Sequence, residues 1–451
     1  MSLMYGPPPA EGAERPSRSR TFFGRRGTPA GFTARAFTKA MGFTQDELSR
    51  PVIGIAQTWS EFNNCNAHFR QLAEAVKRGV WQEGGLPLEF PTISLGEVHT
   101  QPTTMLFRNL MAMDTEEMIR AQPMDAVVLL AGCDKTTPAA LMGAASANVP
   151  AILVSGGPML NGRYEGQELG ACTDCGRFTA ELRAGTITPE EYGAVEDAIC
   201  RSAGSCMVMG TASTMASMAE ALGMALPGNA AIPAPDSRRL QLAALSGRQA
   251  VRLAHQGLRP SDVMTPAAFE NAIRVIAAVG GSTNAVVHLI AIAGRLGIEL
   301  PLELFDRLAR ETPLLLSARP SGQYQMEEIF DAGGIPALMK ELEPLLHLDL
   351  PTVTGRTQRE NLAAVRPAEA YREIIATLAR PFEPEGGLSI LRGNLAPRGA
   401  VIKHSAASPE LMQHTGRAVV FESVQDMTER MDSPDLDVTA EDVLVLRNAG
   451  P

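Results

Sequence analysis

The sequence predicts a mixed α/β protein, a large parallel-sheet domain over residues 21–378 followed by a β-rich, barrel-like region over residues 379–451. Two observations predict it. Up to about residue 378 apolar, β-branched runs alternate with helical stretches, which is the pattern of strand–helix–strand units in a parallel sheet. Beyond that point the apolar runs shorten and Gly, Pro and Asn separate them, as in an all-β region.

The elements follow in order. Residues 1–20 are rich in Pro, Gly, Glu, Ser and Arg and lack the apolar core of a signal peptide, so they read as a flexible leader. Residues 52–57 read as a buried strand, with Cys65 in the loop after it. Residues 125–132 form the clearest strand, followed by Cys133, Asp134 and Lys135, then a helix over 139–147 and a second strand over 151–155. Thr137 suits the N-cap of that helix and Pro138 its first position. The unit is a parallel crossover, and its loop lies at the carboxyl end of a strand, where open α/β sheets place ligands. Gly204, Ser205 and Cys206 precede a long helix over 211–224, and Gly280 to Thr283 precede another over 284–296, with Ser282 or Thr283 as its cap. Short strands are expected at 388–391, 400–403, 418–421 and 443–446. A strand directly before Pro451 leaves a sheet edge to be covered, so the C-terminal domain is expected to be incomplete.

Composition narrows the function. With 451 residues, 45% hydrophobic and 20% charged, the composition is ordinary for a soluble globular enzyme. Net charge is −10 and no Lys/Arg run stands out, which argues against nucleic acid as a partner. No continuous apolar run of about 18 residues is present, which argues against a membrane span. Six cysteines in a chain of this length do not make a disulfide scaffold, so a reducing cytoplasm is expected.

Cys65, Cys133 and Cys206 are the candidate cofactor ligands. Free cysteine usually serves as a small buried hydrophobe. These three sit instead in polar loops rich in Asn, Gly, Ser and Thr. Three thiolates are one short of a closed site, and an iron–sulfur cluster with an open iron is a Lewis acid suited to removing hydroxide from a hydroxy acid. Asp134 and Glu97 offer hard oxygen ligands for Mg²⁺. Lys135 joins them only if chemically altered, as by carbamylation; otherwise it is an ion-pair partner of Asp134. His68 and His99 read as structural, and His288, inside an apolar helix, as a satisfied core residue. Cys172 and Cys175 have the spacing of a redox dithiol or half a zinc site. Their glycine-flanked loop and the lack of a second such pair favour a peripheral thiol pair.

Seven ordered motifs carry a resemblance. They are Cys65 to His68, Gly132 to Lys135, Ser155 to Gly162, Gly204 to Cys206, Met209 to Thr214, Gly281 to Asn284 and Leu391 to Pro397. Together they resemble the dihydroxy-acid dehydratase and phosphogluconate dehydratase family. Gly96 with Glu97, Pro102 to Asn109 and Cys133 to Pro138 are similar to its sugar-acid (pentonate) branch. The resemblance implies an iron–sulfur cluster on Cys65, Cys133 and Cys206, 2Fe-2S in preference to 4Fe-4S. It also implies Mg²⁺ on Glu97, Asp134 and carbamylated Lys135, the last the candidate catalytic residue. It further implies a sugar-acid substrate, a 2-keto-3-deoxy product and a homodimer or homotetramer. Dihydroxy-acid dehydration and a truncated, non-catalytic cluster-binding form are the alternatives. A thiol–disulfide or electron-transfer protein using Cys172 and Cys175 is the rival from another class. The Cys172/Cys175 pair and Met207–Val208 depart from the family pattern. In the family, a further Mg²⁺-binding glutamate and the serine acting as base belong to sequence beyond the equivalent of Pro451.

Overall fold

The computed structural model describes residues 17–171 and 173–449. Four parallel strands form its central sheet: β1 (Val52–Gln57), β2 (Leu86–Pro91), β3 (Ala126–Leu130) and β4 (Ala151–Val154), in the order β2-β1-β3-β4. β1, β3 and β4 are buried along their whole length. Strands covered on both faces need continuous apolar runs, and these sequences have them. The chain passes from β1 through the helix Phe69–Gln82 to β2 on one side. It then crosses back through the helix Arg108–Ala121 to β3 on the other side of β1. The strand order therefore reverses between β1 and β3, which opens a crevice at their carboxyl ends.

Helices cover both faces. Phe69–Gln82 packs against Ser237–Gln256, and Arg108–Ala121 against Thr136–Ala147, on which Asn284–Arg295 also rests. Thr136–Ala147 is buried from Thr136 through Ala145, so it is a core helix without a wet face. It starts earlier than the caps suggested. Lys135 holds the N-cap position, while the Thr136 hydroxyl accepts the Cys133 N–H at 3.0 Å. Thr137 is thus inside the first turn and does not cap it. The strand before it is shorter at both ends than the apolar run, because Asp125 and the residues 131–132 serve the loops.

Of the expected leader, residues 1–16 lie outside the described residues. Ser17 caps the helix Arg18–Phe23. The Asp125 carboxylate accepts hydrogen bonds from the Ser17 hydroxyl, the Ser19 N–H and hydroxyl, and the Val52 N–H at the start of β1.

In the C-terminal region the expected strands form as Ser389–Leu391, Ala400–Ile402, Ala418–Phe421 and Val443–Leu446. The first two pair antiparallel and the last two parallel, as separate two-stranded ladders. The helix Val424–Arg430, capped by Ser423, connects the parallel pair, an element the short apolar runs did not announce.

Candidate active site

Each strand end contributes a loop to the crevice. After β1, Asn64–Asn66 forms one 3₁₀ turn that carries Cys65. The turn lies against the sheet because two glycines leave room for it. A Cβ on Gly132 would stand 2.8 Å from Phe69 Cζ and 3.2 Å from the Cys65 carbonyl oxygen. A Cβ on Gly156 would come within 2.6 Å of Phe69 Cε1 and 2.9 Å of the same oxygen. The Cys206 loop is tied to the Cys65 turn by the backbone: Gly204 N–H donates to Asn64 O at 3.2 Å, and Asn64 Nδ2 donates to Gly204 O at 3.3 Å.

These contacts gather the three cysteines. The Cys65 thiol donates to the Cys133 sulfur, and the charge of Cys206 acts on Cys65. Donation from Cys65, with N–H groups of Glu97 and Asp134, lowers the Cys133 thiol pKa although the residue is buried. Giving its proton to that bond, together with burial, raises the Cys65 thiol. Backbone N–H groups aimed at sulfur are a fitting environment for anionic cluster ligands. Among the described residues, no three or more His, Cys, Asp or Glu side chains are already spaced to hold one metal ion.

The oxygen ligands converge next to them. Lys135 Nζ stands 3.3 Å from Glu97 Oε2 and 3.6 Å from Asp134 Oδ2, its side chain almost wholly buried. Thr103 Oγ1 donates to Glu97 Oε1 at 2.6 Å, and Thr104 donates to Oε2 through its N–H and hydroxyl. Burial opposes ionisation of Glu97, but those bonds and the Lys135 charge prevail and hold its carboxyl below the usual range. Burial raises the Asp134 carboxyl, against the Lys135 charge and the Ala212 N–H. That N–H belongs to the first turn of the helix Thr211–Ala221. Two carboxylates meeting on one cationic position form a donor set suited to Mg²⁺. The sulfur and oxygen sets adjoin through Cys133 and Asp134.

Family models decide the identity. The dihydroxy-acid/6-phosphogluconate dehydratase N-terminal model matches residues 50–361, and the C-terminal model of the same family matches residues 373–451. The chain belongs to this dehydratase family. It is therefore a hydro-lyase. The L-arabonate dehydratase of Azospirillum brasilense is 54% identical over 439 residues, 96% of this chain and 75% of that protein. The L-arabinonate dehydratase of Rhizobium leguminosarum bv. trifolii is 50% identical over 420 residues, 92% of this chain and 72% of that protein. A dihydroxy-acid dehydratase of Caldicellulosiruptor saccharolyticus is 42% identical over 427 residues, 92% of this chain and 76% of that protein.

The other residues singled out in the sequence are placed as follows. His68 is structural in its bonding: Nε2 meets Gly156 O at 2.9 Å, and burial lowers its pKa. His99 ends the 3₁₀ turn Glu97–His99. His288 is fully buried but only half satisfied, since Nδ1 is bonded to Arg108 and Nε2 has no protein partner among the described residues. Cys172 lies outside the described residues. Cys175 is exposed in the first turn of the helix Asp174–Arg183, which follows the hairpin Gly162–Tyr164/Gln167–Leu169. That segment is a strand-to-helix passage and not the open loop its glycines suggested, because the Asp174 carboxylate gathers the Gly170 N–H into the helix start.

Sequence reasoning named Thr103, Thr104 and Arg108 only within the Pro102–Asn109 motif, without a role, and did not single out Lys403. Lys403 follows the strand Ala400–Ile402, and its neighbour Ser405 is tied by Gly387 to Ala277, at the end of the helix Pro266–Val279. Val401, two residues before it, lines a small cavity with Ile276, Ala277 and Val286. The alternation of an extended chain turns Lys403 toward the same helical layer. Burial lowers its ammonium pKa to about 8, and no ion pair or hydrogen bond holds it among the described residues. A lysine closing an apolar run was the available signal.

Proposed function

We propose that this dehydratase converts an aldonate to its 2-keto-3-deoxy acid, with an iron–sulfur cluster on Cys65, Cys133 and Cys206 and Mg²⁺ on Glu97, Asp134 and carbamylated Lys135. The observation that carries the substrate class is the order of likeness. The L-arabonate and L-arabinonate dehydratases are 54% and 50% identical to this chain, against 42% for the dihydroxy-acid dehydratase. The oxygen and sulfur donor sets, adjacent at one crevice, support the cofactor assignment.

When bound, the two metal centres would supply Lewis acidity, to the leaving 3-hydroxyl and to the carboxylate with its 2-hydroxyl. The chain's own residues do the rest. Thr103 and Thr104 hold the Glu97 carboxylate in one orientation. The start of the helix Thr211–Ala221 places an N–H on Asp134 and favours negative charge there. N–H groups around Cys133 stabilise its sulfur as an anion. Lys403 has no anionic partner among the described residues and is a cation available to an anionic group of the substrate.

The test is an aldonate panel of pentonates and hexonates run beside 2,3-dihydroxyisovalerate, on anaerobically prepared protein with Mg²⁺ and 2-keto acid detection. Turnover of an aldonate with kcat/KM above that for 2,3-dihydroxyisovalerate is expected. Preference for 2,3-dihydroxyisovalerate would transfer the chain to the branched-chain role.

A further inference from the structure

Among the described residues, Arg239 is the largest side chain that the fold buries completely. It lies in the first turn of the helix Ser237–Gln256. Its guanidinium donates to three main-chain carbonyls: Nη1 to Ser155 O at 3.1 Å and to Asn229 O at 2.7 Å, and Nη2 to Ile232 O. Nε has no partner among the described residues, and no carboxylate among them bonds the group. Asp236 is taken up by the neighbouring Arg238, and Glu220 acts only at a distance. Burial works against the charge and lowers the Arg239 pKa to about 9, which still leaves the group charged at neutral pH. A buried charge without a counter-ion is costly, and carbonyl dipoles offset only part of that cost. The position calls for an anion.

The contacts of Arg239 show on which side that anion belongs. Residues 155–159 follow β4, and Arg239 fills the back of this segment: a Cβ on Gly157 would stand 2.6 Å from Nη2. Two of the thiol loops rest on its front. A Cβ on Gly156 would meet Cys65 O at 2.9 Å, and His68 Nε2 bonds Gly156 O at 2.9 Å. Gly157 O accepts the Ser205 N–H at 3.0 Å, and Met159 N–H donates to Ser205 O at 2.8 Å, next to Cys206. One layer of peptide therefore separates the guanidinium from the backbones of the Cys65 and Cys206 loops. Charges across so thin a dry layer interact strongly. An iron–sulfur cluster on thiolates is an anion of the required sign.

We propose that Arg239 is the buried counter-charge of a cluster held by Cys65, Cys133 and Cys206, acting through residues 155–159. This rests on the cluster reading and adds the residue that balances the cluster's charge. Reduction by one electron adds one negative charge to the cluster. A fixed cation behind it favours that form and raises the midpoint potential. Arg239 is a positioning residue, not a catalytic one.

Asn229 offers a way to cancel the charge without removing the side chain. Its Oδ1 accepts the Ser155 N–H at 2.9 Å, while Nδ2 has no partner among the described residues. Asn229→Asp keeps the bond that is made, loses none, and puts a carboxylate beside the guanidinium.

The test is the midpoint potential, read by electron paramagnetic resonance during dithionite titration of anaerobically purified full-length protein, with iron and acid-labile sulfide counted per chain. Arg239→Gln and Asn229→Asp should each make the cluster about tenfold harder to reduce, a downward shift of about 59 mV for a one-electron couple. Arg239→Lys keeps the charge and should stay near the wild type. A role confined to packing would lower cluster content or stability and leave the midpoint in place. Asn229→Asp breaks no bond, so it carries the test where Arg239→Gln does not fold. A wild-type midpoint in whichever of these two variants loads the cluster overturns the proposal while the cluster reading stands. Wild-type protein without iron and sulfide overturns the cluster reading and the proposal with it.

Discussion

Single residues set the electrostatics of this molecule, and two of them give measurable consequences. Lys403 is a partly buried cation with no anionic partner among the described residues, its pKa lowered to about 8 by burial. If it binds an anionic group of the substrate, Lys403→Gln should raise KM for an aldonate about tenfold with kcat little changed, the sign of lost uniform binding. Steady-state kinetics checks this; an unchanged KM contradicts it. Glu220 is fully buried in the helix Thr211–Ala221, and burial raises its carboxyl to about 7 despite N–H bonds from Gly228 at 2.7 Å and Ala230 at 3.0 Å. A carboxyl with a raised folded pKa binds its proton more tightly in the folded state. Its stabilising effect is complete below the usual value of 4.5 and is lost as pH rises to about 7. The loss amounts to about 3 kcal/mol across that window. Glu220→Gln cannot titrate, so its stability relative to the wild type should rise by that amount between those limits. Chemical denaturation at several pH values checks the slope, and a flat difference contradicts it.

At the scale of elements, the fold depends on polar ties between strand ends as much as on apolar runs. Asp125 precedes β3, yet its carboxylate joins Ser17 and Ser19 to the start of β1 at Val52. Asp125→Ala should leave the Ser19 and Val52 N–H groups without acceptors, at about 1–3 kcal/mol each. The helix Arg18–Phe23 should then detach first. A lower Tm and faster limited proteolysis around residues 17–24 are the expected outcomes, and unchanged proteolysis there contradicts the tie. Local sequence revealed β1, β3 and β4, the last two as uninterrupted apolar runs that the core demands, but not β2. It misplaced the N-cap at Thr137, because the Thr136 hydroxyl is drawn to the Cys133 N–H, a choice set by the loop and not by cap preference. It also gave no sign that the C-terminal strands pair in two separate ladders, because pairing depends on partners distant in the chain.

At the scale of the whole molecule, the reversal of strand order between β1 and β3 brings the Cys65 and Cys133 loops to one crevice, and the Asn64–Gly204 tie carries the Cys206 loop to it. Their polar flanks marked them in the sequence, and residue type and neighbours made Glu97, Asp134 and Lys135 candidates. The bonding around them was not. Thr103 and Thr104 reach Glu97 from a separate turn, and Arg108 meets His288 across 180 positions. Such contacts exist only after the helices pack. His288 reads as an inert core residue for the same reason, since its open ring nitrogen has no mark in the sequence.

The proposed function makes three separated thiols one cluster site in which the exposed Cys175 takes no part. The direct measurement is iron and acid-labile sulfide per chain in anaerobically purified wild type and in Cys65→Ser, Cys133→Ser, Cys206→Ser and Cys175→Ser. Each of the first three variants should lose most of the cluster together with dehydratase activity, and Cys175→Ser should retain both. Full iron and sulfide in Cys133→Ser, or their loss in Cys175→Ser alone, would contradict the account.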